Sequence, residues 1–339
     1  MLGYSRETSE SAESFSNTET EIINCINASK VFHKPAFVAI KLSGLASEAE
    51  LRQLEKEIYL ITDEGRLRGT SALSTAASQI LCLFPELWGR LQRLSDAARK
   101  AEVHLVLDAE LRFQGEVDAL PSSAIICSIL NRDGNNVWNT HQMYVLKLVL
   151  SDIRLFKDSF KKLSEWSGDN PIKLVRGAYL SQEPYPQVAS SKTEVDENYD
   201  KAVTELLCNR TNPVIFATHN HRSILRAWQL LREGRVRAPP AANREINFAQ
   251  LYGMGDHLTL AVLRCMKSTE LQPNLRLAVI KYIPYGSLNE VMPYLARRAE
   301  ENRGMLGGSI LEREASYEEL KRRLLRFLGI ASIHYGNRE

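Results

Sequence analysis

The sequence predicts an α/β protein, a (β/α)8 barrel of the TIM type, and two observations carry this prediction. Short runs rich in Val, Ile and Phe alternate with longer helical patterns, which is typical of parallel βαβ units. Polar side chains end most of these runs, and barrel enzymes place their catalytic groups at the C-terminal ends of strands. A doubly wound sheet is the competing architecture, but the sequence lacks the GxGxxG motif that would favour it.

The elements follow one another in a regular order along the chain. The predicted strands are 37–42, 103–108, 137–142, 172–175, 214–218, 246–250 and 278–282. The predicted helices cover about 47–60, 76–100, 144–165, 194–209, 221–233, 256–268 and 289–303. Residues 1–4 are either the eighth strand or the remnant of a truncated first strand.

The chain, residues 1–339, is expected to form one barrel domain. Residues 8–30 begin polar and acidic and are expected to be a flexible N-terminal segment, and 331–339 a tail. A mitochondrial presequence is rich in Arg and poor in acids. The start of this chain carries Arg6 and five glutamates between Glu7 and Glu21, so it shows no targeting signal.

Charge and composition exclude several classes of function. Lys and Arg number 43 against 41 Asp and Glu, a net charge of +2 that gives no reason to expect nucleic acid as a partner. No apolar run approaches the roughly 18 residues of a transmembrane helix. The cysteines form no CxxC pair, and the histidines lack a third ligand at suitable spacing, so no metal site is expected.

Two groups of charged residues stand at predicted strand ends or just after them. Asp108 and Glu110 would share one face of a strand. They suit general acid–base chemistry, or Asp108 balances Lys41 of the neighbouring strand; we favour the ion pair, with Glu110 structural. In the last predicted helix of the barrel, Arg297 and Arg298 are adjacent, and arginine binds a carboxylate through two parallel hydrogen bonds. This helix is therefore expected to close over the barrel mouth and hold an acidic small molecule.

Six motifs along the chain together resemble one known family. They are LDAE (107–110), NTHQMY (139–144), KLVRGAY (173–179), ATHN (217–220), FAQLYGMGD (248–256) and YLARRAEENRG (294–304). In this order they resemble proline dehydrogenase, also called proline oxidase, most closely its eukaryotic fungal or plant branch. The resemblance implies a barrel that holds FAD, oxidises L-proline to Δ1-pyrroline-5-carboxylate and passes electrons to ubiquinone, the first step of proline catabolism. It further implies a mitochondrial protein on the matrix side of the inner membrane, with peripheral membrane contact.

The resemblance also implies roles for individual residues. Lys41 and Asp108 match a catalytic pair beneath the substrate, and Tyr179 matches a tyrosine near substrate and flavin. The substrate-binding positions are Leu251, Tyr282 and Tyr294 around the proline ring and Arg297 and Arg298 on its carboxylate. The cofactor-binding positions are Gln142, Lys173, Val175, Gly177, Ala178, Lys192, Thr193, Thr218, His219, Asn220 and Glu301.

Three of these positions carry a physical argument of their own. Bacterial members of the family commonly have Arg where this chain has Lys173, which supplies a cation near the flavin as a point charge. Gly177 is expected to let the backbone approach a flat or bulky ligand closely, or is simply a turn glycine. Tyr294 as a bulky wall favours proline over hydroxyproline. A hydroxyproline dehydrogenase and an inactive, truncated remnant of the barrel are the alternatives.

Overall fold

The computed structural model describes the chain in thirteen stretches. They are residues 1–6, 11–32, 34–63, 78–79, 81–110, 122–132, 134, 136–144, 170–177, 189, 191–239, 242–301 and 308–328.

Parallel strands in chain order close a barrel, which confirms the predicted fold class. The strands are β1 (Leu2–Tyr4), β2 (Phe37–Ile40), β3 (His104–Leu107), β4 (Val137–Gln142), β5 (Ile172–Val175), β6 (Val214–Ala217), β7 (Arg244–Leu251) and β8 (Leu275–Tyr285). The described helices are α1 (Ala12–Ser29), α2 (Glu48–Asp63), α3 (Pro85–Ala101), α4 (Ser122–Leu130), α5 (Lys192–Asn209), α6 (His221–Arg232), α7 (Asp256–Ser268), α8 (Leu288–Glu301) and α9 (Gly308–Phe327). The helix predicted at about 144–165 lies outside the described residues from 145 onward.

The first strand is short, but it closes the barrel on both sides. Leu2 pairs with Val38 of β2 and with Ile283 of β8, both in parallel register. Residues 2–4 therefore form the eighth strand, and not a remnant that leaves the barrel open. Gly3 faces the interior, where a Cβ atom would lie 2.1 Å from the hydroxyl oxygen of Tyr282. Only glycine at this position leaves room for that ring.

The prediction of a flexible segment over 8–30 is wrong for most of its length. Helix α1 begins after Ser11, whose hydroxyl accepts a hydrogen bond from the Ser14 amide at 3.2 Å. Phe15, Ile22 and Ile26 are buried on one face of this helix. The apolar residues recur at helical spacing among acidic ones, and burying them offsets the cost of ordering the segment.

The barrel interior is packed with side chains. Phe37 stacks on His104 with ring centroids 5.1 Å apart, and Trp138 meets the Phe37 ring edge-on at 5.3 Å. Val106 and Ile215 fill the same interior cluster. This packing separates the two mouths of the barrel, so that the strand C-termini and N-termini offer separate surfaces.

Candidate active site

A buried ion pair lies at the C-terminal mouth. The ammonium of Lys173 on β5 donates to a carboxylate oxygen of Asp108, just after β3, at 2.5 Å. The predicted ion pair between Asp108 and Lys41 is wrong, because Lys173 is the cation that contacts Asp108 among the described residues. Side chains of one interior layer in a tilted barrel come from alternate strands. Strands β3 and β5 therefore contribute to one layer, and Lys41, which follows β2, does not.

Two tyrosines lie between this ion pair and α8. The Lys173 ammonium lies 5.6 Å from the ring centroid of Tyr282 on β8. Tyr282 stacks on Tyr294 of α8, with centroids 6.1 Å apart and 28° between the ring planes. Leu251 at the end of β7 packs in the same interior cluster. The helix α8 is thereby seated on the barrel mouth through its tyrosine.

Cations lie against the Tyr294 ring. The Lys41 ammonium is 5.0 Å from the ring centroid, and the Arg298 guanidinium carbon is 5.3 Å from it. These distances are within the range of favourable cation–π contacts. Arg297 is the chain neighbour of Arg298 and is also partly buried. The structure thus brings Lys41, Asp108, Lys173, Tyr282, Tyr294 and Arg298 together at one mouth, with Arg297 next to Arg298 on α8.

Helix α8 is held to the first strand by Glu290. The carboxylate of Glu290 accepts hydrogen bonds from the backbone N–H and the hydroxyl of Ser287, at 2.9 and 2.8 Å, across the helix start. It also accepts a hydrogen bond from the Tyr4 hydroxyl at 2.7 Å and lies 3.6 Å from Arg6. The carboxylate of Glu290 therefore stabilises the start of α8 and links this helix to the end of β1. Neither Tyr4 nor Glu290 was among the predicted site residues.

Two features of the structure bear on Gly177, which was expected to allow close approach of a ligand or to be a turn glycine. Its φ is +112°, a conformation that favours glycine. A Cβ atom there would lie 1.8 Å from the ring of Tyr144 and 3.1 Å from the side-chain oxygen of Gln142. The ring of Tyr144 therefore occupies the space into which a side chain at this position would point. The side chain of Gln142 donates to the backbone oxygen of Glu110 at 3.2 Å and is buried.

A second group of predicted residues is assembled by Arg176, which the sequence analysis did not assign. Its guanidinium donates to Asp196 of α5 at 2.6 Å, to Thr218 after β6 at 2.6 Å and to Ser223 of α6 at 2.9 Å. It also stacks over the ring of Tyr199 at 4.3 Å. Arg176 lies between two predicted site positions in the KLVRGAY motif, but its side chain faces the outer helices. The KLVRGAY motif was the sequence signal that could have identified Arg176. The alternation of side chains along a strand places Arg176 on the face away from the barrel interior.

The remaining members of this group meet at Asp196. Lys192 donates to Asp196 at 2.7 Å, and the side-chain amide of Asn220 donates to it at 3.3 Å. Partial burial raises the pKa of Asp196, but the hydrogen bonds from Lys192 and Arg176 outweigh this effect and the net pKa is lowered. Asn220 also caps α6 by accepting from the Arg222 amide at 2.9 Å. The C-terminal ends of β5 and β6 therefore lie beside the first turns of two helices, where the carboxylate of Asp196 pairs with both cations.

The other predicted positions are placed as follows. His219 accepts a hydrogen bond from the Leu251 backbone N–H at 3.2 Å, and so joins the ends of β6 and β7. Val175 ends β5, and Thr193 lies exposed in the first turn of α5. Ala178 and Tyr179 lie outside the described residues, as does the side chain of Glu301 at the end of α8. In the described part of the chain, no three His, Cys, Asp or Glu side chains converge as a metal site would require.

Comparison with known proteins identifies the family of this chain. The model of the proline dehydrogenase family matches residues 1–309. Hydroxyproline dehydrogenase of Bos taurus is 30% identical over 325 residues, covering 86% of this chain and 65% of that protein. Mitochondrial proline dehydrogenase 1 of Bos taurus is 32% identical over 246 residues, covering 69% of this chain and 38% of that protein. The chain thus spans less than two thirds of the length of either relative.

A solved structure with the same fold comes from a bacterium. The crystal structure of a mutant proline utilization A from Bradyrhizobium japonicum superposes with a TM-score of 0.63. The match covers 89% of this chain and 28% of that one, at 19% sequence identity. At this identity the likeness shows the fold alone.

Proposed function

Because this chain belongs to the proline dehydrogenase family, we propose that it oxidises L-proline to Δ1-pyrroline-5-carboxylate with FAD as cofactor. One observation carries the proposal for this chain. The helix with the arginine pair is seated on the barrel mouth through the stack of Tyr294 on Tyr282, directly beside the buried Lys173 and Asp108. A small molecule in this mouth would meet cations, aromatic walls and an ion pair at once.

The carboxylate of proline is the group that Arg297 and Arg298 would bind. Two guanidinium groups supply planar, charge-assisted donors that fix orientation as well as position. Tyr282, Tyr294 and Leu251 form the apolar wall around the ring and exclude water from it. Lys41, close to the Tyr294 ring, adds positive charge on the same side. The ring nitrogen must be neutral to release a hydride, so the rate is expected to rise with pH.

The residues present fit the cofactor. When bound, FAD supplies the hydride acceptor. Lys173 would give positive charge beside the flavin, with Asp108 holding its ammonium in place. The hydroxyl oxygen of Thr140, buried within the barrel, lacks a hydrogen-bond partner among the described residues and is free for a polar ligand atom. The N-termini of α5 and α6, with Arg176 and Lys192, suit a diphosphate.

The remaining assignments are part of the same proposal. Gln142, Val175, Gly177, Thr193, Thr218, His219 and Asn220 stand along the edge that would hold FAD. Ala178, Tyr179 and Glu301 are proposed on the motif alone. Thr218 and Asn220 would act through the network of Arg176 and Asp196, which keeps the start of α6 in place.

Hydroxyproline is the alternative substrate, and one observation favours it: a hydroxyproline dehydrogenase is among the relatives at 30% identity. The packing favours proline, because Tyr294 stacks on Tyr282 and presents a ring where a ring hydroxyl would need a hydrogen-bonding neighbour. The ratio of kcat/KM for L-proline and trans-4-hydroxy-L-proline decides between them. The third reading, an inactive remnant, is disfavoured by the closure of β1 on both sides.

We propose ubiquinone as the electron acceptor and a mitochondrial location for this protein. The location is supported by relatives whose names describe them as mitochondrial. None of the described helices is long and apolar enough to cross a bilayer. Helix α9 exposes Tyr317, Leu320, Leu324 and Phe327 at helical spacing, with the side chain of Lys321 beside them. Such a stripe suits peripheral membrane contact. Co-sedimentation with vesicles containing anionic lipid, compared with Leu324→Glu, tests this contact.

The visible spectrum of the purified protein tests the proposed function. The proposal requires the absorption of an oxidised flavin, bleached by L-proline without oxygen. Protein that carries no flavin, and acquires none on incubation with FAD, would support the inactive remnant instead.

A further inference from the structure

A cavity opens at the mouth of the barrel opposite the proposed active site, where the strands begin. Its volume is about 350 Å³, and its polar lining comes from Lys34, Glu102, His104, Glu245, Asn247 and Arg276. This volume lies at the lower end of the roughly 300–1,000 Å³ of small-molecule sites. The packed layer around Trp138 lies between this cavity and the site already described.

Three polar atoms in this cavity lack hydrogen-bond partners in the described part of the chain. They are the amide nitrogen of Asn247, the Oε2 oxygen of Glu245 and the Nδ1 nitrogen of His104. Asn247 is only 1% exposed, so water outside the protein does not satisfy it. Asn247 and Glu245 share a face of β7 with Ala249, which packs in the interior cluster, and so they point into the barrel. Buried polar groups without partners are costly, and a polar ligand would remove that cost.

The charges at this mouth stand apart from one another. Glu245 and Arg276 occupy paired register positions on β7 and β8, yet the described contacts include no ion pair between them. Arg276 instead donates to the backbone oxygens of Pro273 and Leu275, at 2.9 and 3.3 Å. The ammonium of Lys34 is held by the backbone oxygen of Ala101 at 2.9 Å. Glu245 inside and the cations at the rim therefore face one cavity, which the exposed Glu102 also lines, and the described contacts include no ion pair between Glu245 and Arg276.

The electrostatics agree with this separation. Burial raises the pKa of Glu245, and the neighbouring side chain of Asn247 opposes this effect only in part. Burial, helped by the charge of Lys34, lowers the pKa of His104 to about 4, so the imidazole is neutral near pH 7 and supplies no such charge. Pro35 and Ala278, which shares the interior face of β8 with Ile280, give the cavity an apolar wall.

We propose that this cavity binds a small zwitterion, an α-amino acid with a short side chain. Its ammonium would donate to Glu245, and its carboxylate would accept from Arg276 and from the amide of Asn247. The short aliphatic side chain would lie against Pro35 and Ala278. An ammonium and a carboxylate on one small molecule satisfy both poles together, whereas a simple anion or a simple amine satisfies only one.

Calorimetric titration of the FAD-loaded full chain tests the site, with L-alanine as the probe and acetate and ethylamine as the single-charge comparisons. L-Alanine is expected to bind, and the two comparisons to bind at least about tenfold more weakly. Glu245→Gln, which keeps the shape of the side chain, should weaken L-alanine binding about tenfold or more. Arg276→Gln should do the same, and because Arg276 is exposed this variant is not expected to affect folding. Arg297→Met at the other mouth is the matched control and should leave this binding unchanged.

Three results would overturn the proposal. Acetate binding as tightly as L-alanine would make the cavity an anion site. Binding that is lost in Arg297→Met but kept in Glu245→Gln and Arg276→Gln would place L-alanine at the substrate site. The absence of any binding to the wild-type protein would mean that the cavity holds only water.

Discussion

The Lys173 ammonium lies 2.5 Å from a carboxylate oxygen of Asp108, so an acid after β3 holds the cation of β5 inside the barrel mouth. Both side chains are mostly buried, with 9% and 15% of their surfaces exposed. Removing one partner of such a pair leaves the other charge without compensation, which typically costs about 3–5 kcal/mol. The pair is therefore the electrostatic centre of the proposed site.

Asp108→Asn is expected to lower kcat/KM for L-proline by about tenfold or more, because the ammonium of Lys173 is no longer fixed by a charge. Steady-state kinetics measure this change, with urea unfolding to separate it from loss of stability. Glu110→Gln is the matched control, two residues further on, since the Glu110 carboxylate accepts from the Ser43 amide at 3.0 Å. Equal losses in the two variants would show that Asp108 has no special role.

Arg298→Met and Arg297→Met are each expected to raise the KM for L-proline strongly while FAD stays bound. Losing one charge-assisted partner of a desolvated carboxylate costs about 2–5 kcal/mol. Arg298→Met should have a further effect on α8, because its guanidinium lies 5.3 Å from the Tyr294 ring. Arg313→Met on the exposed face of α9 is the control. An unchanged KM in both variants would show that these arginines do not bind the carboxylate of proline.

Gly3→Ala should disturb the substrate wall without opening the barrel. The added Cβ would lie 2.1 Å from the Tyr282 hydroxyl oxygen, so the ring must move away from its stack with Tyr294. We expect a higher KM for L-proline and a small loss in Tm. Gly89→Ala in α3 is the control, because its Cβ would meet only the flexible end of Arg93 at 3.2 Å. Kinetics indistinguishable from wild type in Gly3→Ala would contradict a role for the position of Tyr282.

Lowering the pH is expected to weaken the contact between α8 and β1, because Glu290 becomes protonated. Partial burial raises the pKa of this carboxyl, but hydrogen bonds from Tyr4 and Ser287 outweigh it, so the folded pKa lies below the ordinary 4.5. A lowered folded pKa gives stability that is present above about pH 4.5 and is lost as the pH falls through the folded value. The difference in Tm between wild type and Glu290→Gln should be present at pH 7 and vanish in stronger acid. A difference in Tm that grew on acidification would contradict this prediction.

The barrel could be predicted from the sequence because parallel strands read as separate apolar runs and end in polar residues. Placing Asp108 beside Lys173 needed the layering of a closed barrel, which the order of residues along one strand does not contain. Arg176 was missed because it leaves the interior and binds Asp196 and Thr218 on the outer helices.

Helix α1 was missed for a different reason. Its acidic composition is typical of flexible segments, while Phe15, Ile22 and Ile26 recur at the spacing of a buried face. Composition and periodicity thus disagreed, and tertiary packing decided in favour of the helix. The packing of the Tyr144 ring beside Gly177 could not be predicted either, because the two residues are distant in the sequence.

Anaerobic addition of L-proline to the purified protein, followed by visible absorption, tests the central claim most directly. The predicted result is a flavin spectrum that L-proline bleaches in the wild-type protein and that stays oxidised, at the same L-proline concentration, when Arg297 and Arg298 are both replaced by Met. A bound flavin that L-proline leaves oxidised in the wild-type protein would contradict the proposed function.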